Sequence, residues 1–170
     1  MRYKGSALSR TLRYLYLRFI RLRGSAEEVA RGMALGIFIG MTPTMGIQMP
    51  IAFFAAMLLK ENKLAAMLGV WISNPVTALP LYTFNFQLGK YVLGTPDLAM
   101  PHFSSLQEIL KLGHDFILPL AVGSIIAGTV AAGVAYIITL NVYRGIKYEK
   151  ELIARKREEK RLARKHKEEN

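Results

Sequence analysis

The chain's 170 residues are enough for one domain, and at 52% hydrophobic they are too apolar for an ordinary soluble one. The formal charge of +11 sits wholly at the two ends, a net +6 in residues 1–31 and a net +5 in residues 144–170 around a neutral middle, so anionic membrane lipids, and not nucleic acid, are the expected partner. The absence of cysteine excludes disulfides, thiolate metal sites and cysteine nucleophiles.

In chain order, Ser6–Arg23 is predicted to form an amphipathic helix. Leu8, Leu12, Leu15, Phe19 and Leu22 share one face, and Arg10, Arg13, Arg18 and Arg21 occupy much of the rest. A basic helix of this kind suits the plane of a membrane interface. Gly24 ends it, and Ser25 with Glu28 forms a capping box that starts the next helix. The first uncharged run begins only at Gly32 and is too long for the apolar core of a signal peptide, so no cleavable signal is expected.

Three uncharged runs follow: Gly32–Leu59, Leu64–Gly89 and Phe116–Tyr143. Each exceeds the roughly 20 residues that a helix needs to cross the hydrocarbon core. The third has one early proline, Pro119, and then continuous helix-compatible sequence, which makes it the best single transmembrane span. Its small residues Gly123, Ala127, Ala131 and Ala135 recur every four positions, and a homo-oligomer through Gly123, Ala127 and Ala131 is expected from that stripe.

The first two runs are interrupted. TPTMGIQMP spans Thr42 to Pro50, and SNPVTALP spans Ser73 to Pro80. Proline removes an amide donor and clashes with the preceding turn. Broken backbone is not tolerated against lipid, so both segments are expected to be re-entrant or discontinuous helices packed on protein or lining a cavity. Leu35–Gly40 and Leu68–Ser73 precede the breaks with similar sequence, an internal repeat of about 33 residues. Paired broken segments of this kind point to a transporter-type site.

Lys60–Lys63 reads as a polar turn, 94–104 as a loop, and Ser105–Gly113 as a short helix. The tail from Arg144 reads as a helix of mixed charge supported by pairs such as Glu151 with Arg155. The expected divisions are therefore 1–24 (interfacial helix), 25–143 (membrane domain) and 144–170 (charged cytoplasmic tail). Positive flanks stay cytoplasmic, so both termini are placed inside, which demands an even number of crossings. Two crossings with one re-entrant run satisfy this, as do paired half-helices.

Runs one and two hold no Asp, Glu, His, Lys or Arg before Lys60 or between Leu64 and Gly89. That argues against a proton relay built on them. What remains is neutral polarity, which can satisfy broken backbone or bind an uncharged or zwitterionic group. Thr42, Pro43, Gly46 and Gln48 are the candidate binding residues on one side, and Asn74, Pro75, Thr77 and Pro80 on the other. Asp97, His102, Glu108, His114 and Asp115 match no metal-ligand spacing. No metal, cofactor or catalytic residue is expected.

Gly36-x-Phe-x-Gly40-x-x-Pro43-x-x-Gly46-x-Gln48, followed by Trp71-x-x-Asn74-Pro75-x-Thr77-x-x-Pro80-x-Tyr82, resembles a bacterial membrane-protein family known as domain of unknown function number two thousand and sixty-two. The likeness covers roughly residues 26–143. It implies a cell-membrane protein, and members that adjoin glycosyltransferase-like domains hint at envelope lipid or glycan work. A looser likeness to the DedA-type family rests on paired Pro/Gly-broken segments, although this chain lacks the acidic residues those proteins carry near the first break. Together these lead to an all-α integral membrane protein of the bacterial inner membrane. The expected role is transporter- or scramblase-like handling of a lipid or lipid-linked envelope substrate. The alternative is a non-catalytic scaffold or accessory subunit for envelope assembly.

Overall fold

The computed structural model describes residues 24–44, 46–95 and 113–169. Every element among them is a helix: α1 (Ala26–Met41), α2 (Gln48–Leu58), α3 (Lys63–Val70), α4 (Ala78–Leu93) and α5 (Gly113–Glu169). The basic helix expected before Gly24, with Arg10, Arg13, Arg18 and Arg21, lies outside the described residues. So do most of the helix expected over Ser105–Gly113 and the side chains of Asp97, His102, Glu108, His114 and Asp115.

Local chemistry sets the helix ends. The Ser25 hydroxyl accepts from the Glu28 N–H at 3.1 Å and starts α1, with Glu27 and Glu28 in the first turn where the dipole favours acid. Ser25→Ala is expected to cost about 1 kcal/mol of stability, read as a lower unfolding midpoint in detergent. α2 ends in a Schellman pattern: the Lys60 N–H reaches Met57 O, the Glu61 N–H reaches Ala56 O, and Lys60 takes φ 57° between them. Asn62 then caps α3 through Ala65 N–H to Asn62 Oδ1 at 2.9 Å. Gly94, at φ 68°, closes α4 in the left-handed conformation that a glycine adopts without cost.

The path of the chain follows from a few contacts. α1 runs from Ser25 to the first break. α2 returns, because the Asn62 N–H just beyond it donates to Glu28 O at the start of α1. α3 then runs parallel to α1. A Cβ at Gly32 would meet Asn62, one at Gly36 would meet Ala66, and one at Gly40 would meet Val70. Gly69 answers from the other side, against Met33 and Ile37. These glycines, spaced four apart on α1, let the two backbones touch.

α5 is antiparallel to both α1 and α4 and serves them in succession. At one end Tyr143 is buried with Ala26, Val29 and Ala65, and Arg144 pairs with Glu27 at 2.7 Å. This guanidinium holds the exposed Glu27 carboxyl below its usual range. Midway, Gly128 faces Phe38 and Met41 at the end of α1. Further on, Gly123 touches Asn85, Gly89 touches Pro119, and Phe86 packs with Phe116 and Leu120. α1 and α4 thus lie along consecutive stretches of α5, with both breaks near where they meet.

Gly123 and Ala127 are buried against the chain's own helices, and Gly123 lies against α4 backbone. Of the residues expected to make an oligomer contact, Gly123 therefore already faces a helix of its own chain. Gly123 admits α4 within the protomer, and a second copy could reach it only by displacing that helix. Ala131 is half-buried.

Pro50 and Pro80 also differ from expectation. Each is the third residue of a helix, α2 or α4. Proline is tolerated in a first turn because that amide has no intrahelical acceptor. The breaks proper are therefore shorter, at 42–47 and 71–77, with Pro43 and Pro75 inside them.

α5 continues through Arg144, where the membrane domain and tail were divided, to Glu169. Among the described residues it is the one helix long and apolar enough to cross a membrane, and only 33% of its most apolar stretch is buried in the protein.

Candidate functional site

The two breaks pack against each other. In the first, the Thr42 hydroxyl donates to Ile39 O at 2.6 Å and lies 3.0 Å from the Thr44 hydroxyl. The turn closes through the Ile47 N–H to Thr44 O, and Gly46 takes φ 96° with open space where a side chain would stand. In the second break, Asn74 Oδ1 accepts from the Val76 and Thr77 N–H groups. The Thr77 hydroxyl accepts from the Asn74 N–H at 3.0 Å and donates to Ile72 O at 2.6 Å. Asn74 and Thr77 thus supply locally the hydrogen bonds that the helix would have made.

Neutral side chains tie the breaks together. Ser73 Oγ donates to Gln48 Oε1 at 2.8 Å. Gln48 Nε2 donates to the Tyr82 hydroxyl at 3.1 Å, which in turn donates to Thr42 O at 3.1 Å. One turn on along α4, Asn85 Nδ2 donates to Met41 O at 2.9 Å and to Ser124 Oγ at 3.1 Å. Both Gln48 and Asn85 are buried, Asn85 completely. Asn85 Oδ1 has no protein partner among the described residues. One asparagine therefore joins the end of α1, the body of α4 and the first third of α5.

Beside this network lies an open cleft of about 320 Å³ lined by Gly46, Gln48, Met49, Val70, Trp71, Ser73, Asn74 and Pro75. Of the residues expected from sequence, Gly46, Gln48, Asn74 and Pro75 are brought together here. Thr42 and Thr77 hold the breaks without lining the cleft. Pro43 is exposed in the first break, and Pro80 is exposed on the first turn of α4. Sequence reasoning did not single out Met49, Val70 or Trp71 as lining, or Ser124 as the partner of Asn85. The pairing of two residues 39 apart leaves no mark in spacing. Among the described residues, no group of three or more His, Asp or Glu is placed to hold a metal ion.

No curated protein and no solved structure matches the chain. The family described as "Uncharacterized protein conserved in bacteria (DUF2062)" matches residues 9–151. That match takes in both breaks, the cleft and all of α5 as far as Glu151, and the chain belongs to this bacterial family.

Proposed function

We propose that the chain is a multi-pass bacterial membrane protein that handles a lipid or lipid-linked substrate at the cleft between its two breaks. α1 and α2 make the re-entrant hairpin. The broken pair α3–α4 makes one crossing, and α5 makes the other. Both termini then share the cytoplasmic side, as the basic ends require.

The observation that carries this reading is the meeting of the breaks deep in an apolar band. Exposed apolar residues on α5 run from Ile117 to Val142, about 38 Å of helix. Ser124 and Gly128, level with the breaks, lie within about 9 Å of its centre. Backbone at such depth must be satisfied by protein, and Tyr82, Thr77 and Asn85 donate to the carbonyls of Thr42, Ile72 and Met41. The cleft lining holds no titratable side chain, which suits movement of a substrate without a proton relay.

Flipping of headgroup-labelled phosphatidylcholine in vesicles tests the proposal. Wild-type protein is expected to flip lipid, and the Gln48→Ala/Asn74→Ala variant about tenfold more slowly, ~1.4 kcal/mol at the barrier. A folded wild type that flips nothing sinks it.

One observation favours a scaffold instead. Beyond Arg144, α5 carries on for about 39 Å, and its charged side chains from Lys147 to Glu159 are exposed. If deleting residues 146–170 abolished function in cells while Gln48→Ala and Asn74→Ala were tolerated, the scaffold reading would hold.

A further inference from the structure

We infer that the cleft selects its lipid by the hydrocarbon chain and not by the headgroup; this rests on the lipid-handling reading above. The polar atoms at the cleft are largely spoken for. Gln48 Nε2 is given to Tyr82 and Gln48 Oε1 to Ser73, while Asn74 Oδ1 accepts two backbone amides. What remains to meet a ligand is mainly Gly46, Met49, Val70, Trp71 and Pro75. The surrounding surface is equally apolar, with Ile47 60% exposed and Val76 82% exposed.

Charge points the same way. Arg and Lys are the usual partners of a phosphate held away from water, and no cation lines the cleft. Arg31 is paired with Glu61 and Arg144 with Glu27, both at the far end of α1. Lys90 stands over the Phe86 ring, on the last turns of α4. A volume near 320 Å³ is at the small end for a ligand site. It suits a length of one chain rather than a headgroup with two chains behind it.

Exchange of a chain between bilayer and cleft trades one apolar environment for another. The cleft therefore gains only from close packing against Trp71, Pro75 and Met49, and the bound chain stays exchangeable, as a carrier requires.

Trp71 is the chain's single tryptophan and reports directly. Its fluorescence is measured in phosphatidylcholine vesicles doped with a minor fraction of phosphatidylcholine brominated along one acyl chain. The comparison is Trp71→Phe/Val130→Trp, which moves the reporter to an exposed position on α5. Chain bromine is expected to quench Trp71 about threefold more effectively than Trp at 130, a ratio within reach of a handful of extra van der Waals contacts. The same preference is expected when the brominated chain is carried by phosphatidylglycerol. Met49→Phe, which fills the cleft, should bring the ratio to one. Equal quenching at both positions overturns the inference and leaves the membrane reading standing. A preference for one headgroup, or stronger quenching of Trp71 by a headgroup spin label, also overturns it. If no lipid-borne quencher reaches Trp at either position, the membrane reading itself fails.

Discussion

Gly36→Ala and Gly89→Ala are expected to destabilise the fold by about 2–4 kcal/mol each, far more than the small size of the change suggests. A Cβ on Gly36 would overlap the Ala66 carbonyl, and one on Gly89 the Pro119 carbonyl. Both obstacles are backbone, so no rotamer change relieves them. Two helices must move apart, and overpacking of this kind costs about 1–3 kcal/mol and occasionally more. At Gly36 the loss spreads. Separating α1 from α3 also loosens the cluster of Ile39, Ala52, Ala56, Ala66 and Val70. Gly133→Ala is the matched control, since that glycine has open space around it. Its change should be neutral or stabilising by up to ~1 kcal/mol, from helix propensity alone. Unfolding in mixed micelles titrated with a denaturing detergent reads all three. Equal midpoints for Gly36→Ala and Gly133→Ala would show that the α1–α3 backbone approach is not needed.

Asn85→Ala ranks next, at about 2–3 kcal/mol. The residue is completely buried, and it donates to Met41 O and to Ser124 Oγ. Interhelical hydrogen bonds among membrane helices contribute about 0.6–1.7 kcal/mol each, and truncation adds a cavity. It also leaves Met41 O, the last carbonyl of α1, with no side-chain donor. Ser124→Ala should cost about 1 kcal/mol. Because the two share a bond, the double variant should be less destabilised than the sum of the singles. A loss under ~0.5 kcal/mol for Asn85→Ala would mean that packing alone holds the junction. The same variant also removes Asn85 Oδ1, which lacks a protein partner among the described residues.

Part of this was readable before any coordinates. The long apolar helix over Phe116–Tyr143 declares itself by its length without charge. The breaks declare themselves because Pro43 and Pro75 stand beside residues that close turns, Thr42 and Thr44 in one and Asn74 and Thr77 in the other. Four of the eight candidate residues, Gly46, Gln48, Asn74 and Pro75, line the cleft together. Other features were out of reach. Pro50 and Pro80 read as part of the interruption, yet each opens the next helix, because a proline looks alike on either side of a boundary. Gly123 and Ala127 read as an outer contact surface. Spacing shows that a helix can be approached closely but not by what, and at Gly123 it is α4 of the same chain that approaches. Gly32, Gly36 and Gly40 carry the same spacing on α1, yet Gly36 and Gly40 enter the sequence reading through the repeat and the motif and not as a contact stripe. Asn85 looked like one neutral polar residue among several. Its reach to Met41 and Ser124 depends on two helices lying in succession along α5, a fact of packing rather than of local sequence.

That succession has a mechanical side. α5 is unbroken over 57 residues, so the stretch held by Gly89 and Asn85 and the stretch beyond Arg144 belong to one rod about 86 Å long. A tilt of about 10° at the level of Arg144 would sweep the far end of the charged segment through roughly 7 Å. Arg144 with Glu27 and Tyr143 with Ala26 and Val29 grip the rod where it leaves the bundle. These contacts divide the helix into the stretch that meets the breaks and the charged segment beyond.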